Sequence, residues 1–364
     1  MEDILFEILA RLPVKSLMRF KCVCKTWFNL FKNSDFIGKH HLLTCCNSNP
    51  SFGITHDSSY DDVRYLSLFS EKSLTLTEKI SIPFTRKGCP FFCNQFRFPY
   101  LVGPCDGLFC LYSGWEIALW NPATREFKSL PPPPMDKIIV VGIGGIGGVA
   151  FGFDRTNNDY KVLVYQDGSS KLYLYSLKSD SWKEIPAHAH PNISPVYHPR
   201  FCTYLNGVCY WLGRQEEDRV ECIMSYDMTD QVFQKVPLPD SDSSYDEGVG
   251  LCNFRGCLAL IYNTGGVFPC FDVWVWTEGK AEEKGYSWFR KVSVRPLYER
   301  QVYMSLGIGK DGRLFFRNSE GHVFFYDTRS QQMEKILHLD EADETSQVVV
   351  SYVENLLSIN PTPD

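Results

Sequence analysis

No run of the 364-residue chain is apolar and long enough to cross a bilayer as a helix, and the first residues lack the basic patch and apolar core of a cleavable signal. Membrane attachment is therefore not expected. A basic stripe is also missing. Lys and Arg number 37 against 43 Asp and Glu, and the formal net charge of −6 argues against nucleic acid as a partner. The fourteen cysteines offer no paired two-residue gaps: Cys22–Cys24, Cys45–Cys46 and Cys89–Cys93 are wrongly spaced for zinc, so no metal is expected. Without a secretory signal, and with Cys105, Cys110, Cys209 and Cys257 inside strand-like runs, they read as small buried hydrophobes in a reducing cytosol or nucleus. No nucleophile elbow, His-Glu-x-x-His pair or phosphate loop occurs, so no catalytic residue is expected. Gly142 to Gly147 satisfies the dinucleotide fingerprint on paper, but the residues that follow, GVAFGFDRTNNDYKVLVY, read as strand. Without a helix amino terminus there is no dipole to hold a pyrophosphate, and no cofactor is expected.

Apolar side chains, by contrast, crowd the first forty or so residues. Ile4, Leu5, Ile8, Leu9 and Leu12 recur at helical spacing; Pro13 interrupts; Val14, Leu17, Phe20, Val23, Trp27 and Leu30 follow. Two or three short helices cannot bury that much surface among themselves. Such a segment packs on another domain or offers its surplus to a partner, and a docking module is the expectation. Phe20 and Cys24 read equally well as residues that hold the small helices together.

Beyond this head the pattern changes to short strands, and it repeats. IALWNPATREFKSLP, LYLYSLKSDSWKEIP, IMSYDMTDQVFQKVPLP and VFFYDTRSQQMEKILHL share a strand ending in an aromatic, a polar turn, and a second strand opening near an aromatic or Met. VWVWTEGKAEEKGYSWFRKV is the same unit with a longer turn. Aligned on Trp120, Tyr175, Tyr226, Trp276 and Tyr326, the copies recur about every 50 residues, close to a kelch-type propeller period. A degenerate copy lies around Leu68, for roughly six units. Asn206-Gly207, Arg255-Gly256 and Asp311-Gly312 supply positive-φ turns to a preceding strand pair, so each unit is a four-stranded meander. Sheets of that size bury both faces when arranged radially; a β-sandwich is the alternative. Ring closure needs a strand from the far end, and VVVSYVENLLSI is the candidate, pairing into the degenerate first blade.

Turns between first and second, and third and fourth, strands are mostly short; the other connections are usually longer and more irregular. One rim is thus clipped and the other elaborated, and binding residues tend to sit on elaborated loops. That rim carries His188, His190 and His198, which lack the rigid frame of metal ligands, and the acidic Glu216, Glu217, Asp218, Asp242, Asp246 and Glu247, suited to a basic protein. Tolerated loop drift and solvated charge are the plainer reading of the same residues.

The head resembles an F-box, whose usual core runs LPEDLxxEILxRLPVKSLxRFxCVCKxW. Glu2, Asp3, Glu7, Ile8, Leu9, Arg11 to Leu17, Arg19, Phe20, Cys22 to Lys25 and Trp27 match. The opening Leu-Pro has no counterpart before Met1, which implies either weaker docking or a gene start that lies upstream. GPCDGLFCL, WNPATREF, FGFDRTNNDYKVL, SDSWKEI, LNGVCYWLG and VVVSYVENLLSI resemble the F-box-associated domain of plant F-box proteins, most closely the S-locus group. The resemblance implies residues 1–44 as an F-box and 45–364 as a kelch-like, six-bladed propeller: mainly β with a small α module. It implies a non-catalytic substrate receptor of a Skp–cullin–F-box ubiquitin ligase, in the cytoplasm or nucleus. Leu5, Leu9, Leu12, Pro13, Leu17, Val23 and Trp27 would face the Skp linker, with a pistil S-RNase as the implied target. A ligase subunit for an unrelated target, and a propeller scaffold or enzyme outside any ligase, stand as alternatives.

Overall fold

The repeated strand pairs close on themselves. The computed structural model describes residues 2–47, 51–58, 63–83, 99–135, 146–166, 171–186, 193–195, 202–215, 221–239, 250–264, 270–278, 285–295, 302–336 and 344–360. Its strands form six separate antiparallel sheets, the blades of a propeller, and the β-sandwich alternative is excluded. Blade 1 comprises Ser51–Ser58, Val63–Ser70 and Leu76–Ser81, completed by the closing strand Glu344–Tyr352. Blade 2 comprises Tyr100–Cys105, Leu108–Ser113, Glu116–Asn121 and Glu126–Ser129; blade 3 comprises Ile146–Asp154, Asp159–Gln166, Leu172–Ser176 and Ser181–Ile185. Blade 4 is Cys202–Leu205, Val208–Gln215, Glu221–Asp227 and Phe233–Val236, with Ile193–Pro195 added beside Gly213–Gln215 where the sequence reads as loop. Blade 5 is Gly250–Phe254, Cys257–Asn263, Phe271–Glu278 and Tyr286–Val294; blade 6 is Val302–Ile308, Leu314–Asn318, Val323–Asp327 and Gln332–Lys335.

A blade buries both faces only because another blade stands on each side, so its inner strands are apolar throughout rather than alternating. Leu108 to Tyr112 are all buried for this reason. Each junction has its own apolar cluster. Leu66, Leu101 and Trp120 join blades 1 and 2; Cys110, Phe151 and Val162 join 2 and 3; Leu174, Cys209 and Tyr226 join 3 and 4. Leu212, Leu260 and Tyr262 continue the series, then Val273, Leu314 and Phe316, and Phe52, Phe315 and Phe325 complete the circle. Burial pushes the thiols of Cys105, Cys110 and Cys209 up, away from reactivity.

The aligned aromatics have a direct structural meaning. Trp120 stands opposite Phe127, Tyr175 opposite Trp182, Tyr226 opposite Phe233, Trp276 opposite Trp288 and Tyr326 opposite Met333. These are cross-strand pairs at the same register in five blades, the unit of sheet stabilisation. The indole N–H of Trp182 also donates to the Pro131 carbonyl at 2.7 Å, and that of Trp288 to the Pro237 carbonyl at 2.6 Å, tying outer strands to the preceding blade. The turns behave as the Asn-Gly and Arg-Gly steps predict, with positive φ at Asn206, Gly207, Arg255 and Gly256. At Asp311-Gly312 only Gly312 takes positive φ, because the connection spans Gly309 to Arg313 rather than two residues.

One buried ion pair stiffens the junction of blades 3 and 4. Lys161 donates to Asp154 and to the Met228 carbonyl at 3.1 Å, with both side chains almost fully buried. Burial alone would raise the Asp154 pKa; hydrogen bonds from Asn157 and Lys161 outweigh it and hold the carboxyl far below its usual range.

The closing strand pairs antiparallel with Ser51–Ser58, from Ser51 opposite Tyr352 to Ser58 opposite Glu344. The degenerate first unit is degenerate because it lacks its own first strand. Four helices precede the ring: α1 (Glu2–Leu9), α2 (Val14–Phe20), α3 (Lys25–Leu30) and α4 (Ser34–Asn47). The head therefore has one helix more than the apolar pattern suggests, and α4 carries it past the expected boundary at residue 44. No helix among the described residues is long and apolar enough to cross a membrane.

Candidate docking surface

The head folds around aromatic rings. Leu9, Ala10, Val14, Leu17, Phe31 and Phe36 form its centre, with Phe6 edge-on to Phe36 at 5.2 Å and Phe20 against Trp27 at 5.5 Å. Pro13 sets the extended backbone before α2, and the Asn33 side chain caps α4 by accepting the Asp35 and Phe36 amides at 2.9 and 3.1 Å. His40 fixes the α1–α2 corner through Nε2 to the Leu12 carbonyl at 2.9 Å.

This packing sorts the expected docking residues. Leu9 (2% exposed) and Leu17 (0%) point inward, a correction to their placement on the docking face, because the small helices need them as core. Trp27 is half-buried between Phe20 and Phe31. Leu12 and Pro13 line a cleft of about 600 Å³ between head and propeller, shared with Glu78 and Tyr352. Leu5 (38%) and Val23 (60%) remain at the surface. They are joined by Ile4 (66%) and Ile8 (54%), which share the helical spacing but are not in the docking set that the resemblance implies, and by Phe28 (41%). Ile4 and Ile8 are one turn apart on the face of α1 away from Phe6 and Leu9. The signal lies in the breadth of the apolar side of EDILFEIL, where Ile4, Leu5, Phe6, Ile8 and Leu9 cover more of the helix than the head's own core can take.

Other residues of the head hold it to the propeller's clipped rim. Lys15 meets Glu78 at 3.3 Å, Lys310 donates to the Cys45 carbonyl at 3.3 Å, and Ala123 and Leu356 pack into the head core. His41 Nε2 lies 3.6 Å from the Asp106 carboxylate, which, with Cys45, raises the imidazole pKa against the opposing effect of burial. Asp106, Ala123 and Lys310 all belong to connections between first and second or third and fourth strands.

In an antiparallel meander the remaining connections leave from the opposite rim. The strand ends flanking 187–192, 196–201, 216–220 and 240–249 all lie there, facing away from the head. His188, His190, His198, Glu216, Glu217, Asp218, Asp242, Asp246 and Glu247 themselves lie outside the described residues. Between the rims runs a central channel of about 420 Å³, lined by innermost-strand residues that include Tyr204, Cys252, Ser305 and Val349. Among the described residues, no three His, Cys, Asp or Glu side chains converge as metal ligands would.

Comparison with known proteins places both parts. The family model for the F-box associated beta propeller domain matches residues 27–359, and that for the F-box domain matches residues 2–38. An F-box/kelch-repeat protein of Arabidopsis thaliana is 28% identical over 326 residues, covering 84% of this chain and 83% of that protein. Another F-box protein of Arabidopsis thaliana is 27% identical over 252 residues, and there the match spans 68% of this chain and 62%, under two thirds, of the relative. Among solved structures, TolB from Acinetobacter baumannii superposes with a TM-score of 0.49 at 10% identity, over 87% of this chain and 70% of that one.

Proposed function

The chain belongs to the F-box proteins that carry an F-box-associated beta-propeller domain, and from that premise we propose that it is a non-catalytic substrate-recognition subunit of a Skp–cullin–F-box ubiquitin ligase. One observation carries the reading: Ile4, Leu5, Ile8, Val23 and Phe28 are left exposed on a head whose opposite side is fixed to the propeller. Single exposed apolar residues are ordinary on a protein surface, but five within the first 28 positions of a small module point to a partner. A Skp-type linker takes that face, and the cullin follows through the linker. The far rim then holds the target, and ubiquitin transfer accelerates through proximity rather than through side-chain chemistry of this chain.

The finer reading assigns the target as a pistil S-RNase, met in the cytosol, with the nucleus as a second compartment. Its support is the set of framework motifs shared with the S-locus group, and acidic rim residues in a chain of net charge −6, which favour encounter with a basic protein. The test is co-purification of the full chain with a Skp-type linker and a cullin, followed by pull-down against a panel of S-RNases. Linker and S-RNase recovered together support the whole reading; linker without any S-RNase leaves the ligase and removes that target. Recovery of neither favours a propeller scaffold for which the head is only a cap.

A further inference from the structure

The chain continues past the strand that closes the ring, and the residues that follow touch both head and propeller. Glu354 Oε2 accepts the Val14 amide at 3.1 Å, capping α2, whose own N-cap proline offers no side-chain acceptor. Leu356 is buried among Leu9, Val14, Leu17, Phe31 and Phe36. On the propeller side, Ile359 is buried in the cluster between blades 2 and 3, and Glu126 Oε2 accepts the Ser358 hydroxyl at 2.8 Å and the Ile359 amide at 2.9 Å. Asn355 Nδ2 donates to the Asp106 carbonyl at 2.8 Å. The turn beneath is cut to fit: a Cβ on Gly107, at φ +81°, would lie 2.3 Å from the Val353 carbonyl oxygen.

Asn121 is the most telling residue. It opens the turn between the third and fourth strands of blade 2, where blades 4 and 6 have Asp227 and Asp327. All three use a side-chain oxygen to accept turn amides: Ala123 and Thr124, Thr229 and Asp230, and Arg329. An aspartate suffices for that. Asn121, fully buried, adds what a carboxylate cannot supply, donating its amide to the carbonyls of Asn355 at 3.0 Å and Leu357 at 2.8 Å.

We infer that residues 353–360 are a strap that holds the helical head at one angle on the propeller, with Asn121 as its positioning residue. The consequence for ubiquitin transfer rests on the ligase reading; the strap itself does not. In a ligase it sets the distance from linker to bound cargo, and so which lysines come within reach.

The test uses the full chain with non-natural labels at Asp35 on α4 and Lys183 on blade 3, both exposed, and reads the distribution of distances between them. The native chain gives one narrow distribution. Asn121→Asp keeps the turn acceptor but sets an oxygen against two carbonyls, and Leu356→Ala removes the anchor in the head without touching blade 2. Loss of the single narrow distance in either variant, with the propeller's cooperative melt retained, supports the strap; a narrow distance in both overturns it. In the ligase assembled with a Skp-type linker and a cullin, self-ubiquitination of the native chain falls on a restricted set of lysines and spreads in the variants. A linker that fails to bind sinks the ligase reading and leaves the distance measurement to decide on the strap.

Discussion

Deletion of residues 344–364 is expected to abolish the cooperative thermal transition of the propeller. The closing strand supplies the first strand of blade 1, and without it Ser51–Ser58 becomes an open edge whose amides and carbonyls lose their partners. Buried Tyr352 leaves with it, and so do four buried aliphatic side chains, Val349 and Val350 of the closing strand, Leu356 packed in the head core and Ile359 packed at the junction of blades 2 and 3. At about 1.5–3 kcal/mol each, their burial contributes roughly 6–12 kcal/mol, comparable to the whole stability margin of a typical folded protein, about 5–15 kcal/mol. The clusters that join blade 1 to blades 2 and 6 would also open to water, because Val350 and Tyr352 belong to one and Val349 to the other. Circular dichroism against temperature checks this. A cooperative melt within a few degrees of the full chain would show that the ring does not depend on its terminal closure.

Ile8→Asp is expected to leave the melt of the chain unchanged and to weaken binding of a Skp-type linker at least roughly 30-fold, the effect of about 2 kcal/mol at an interface centre. Ile8 is exposed in the free chain, so a carboxylate there meets water. In the complex it would be desolvated against an apolar surface with no partner. Leu17→Ala is the opposite case: Leu17 is core, and its truncation is expected to destabilise the head by about 2–5 kcal/mol. Leu42→Asp, on α4 and as exposed as Ile4, is the neutral control for a charge elsewhere on the head. Titration calorimetry and thermal melts of the three variants separate docking from folding. Equal linker affinity for Ile8→Asp and the native chain would remove α1 from the docking face.

The propeller was legible because its signal is repeated. A cross-strand pair recurring about every 50 residues, aromatic on both strands in four blades and Tyr326 with Met333 in the fifth, marks the same place in each, and a sixth copy missing its first strand calls for closure from the far end. The head was harder. Helical spacing names Ile4 and Ile8 beside Leu9 without saying which side another element covers, and the resemblance implies Leu9 and Leu17, which are buried, rather than Ile4, Ile8 and Phe28, which are exposed. The deciding contacts come from far along the chain, Ala123 from a blade 2 turn and Leu356 from the strap, and no local pattern reports them. The end of α4 was missed for a related reason. SDFIGKHHLLTCCN has little one-sided apolar character, and the helix is placed by its Asn33 cap and by burial of Phe36 and His40. Loop length and charge mark the rim residues, and these decide where a target can approach rather than which side chains touch it.

Amide hydrogen exchange of the full chain, with and without a Skp-type linker, tests the central claim most directly. Protection gained over residues 2–9 and 22–28, with exchange across the far rim unchanged, is the result expected of a head that docks through Ile4, Leu5, Ile8, Val23 and Phe28. Protection that appears on the propeller instead, or nowhere on the head, would contradict it.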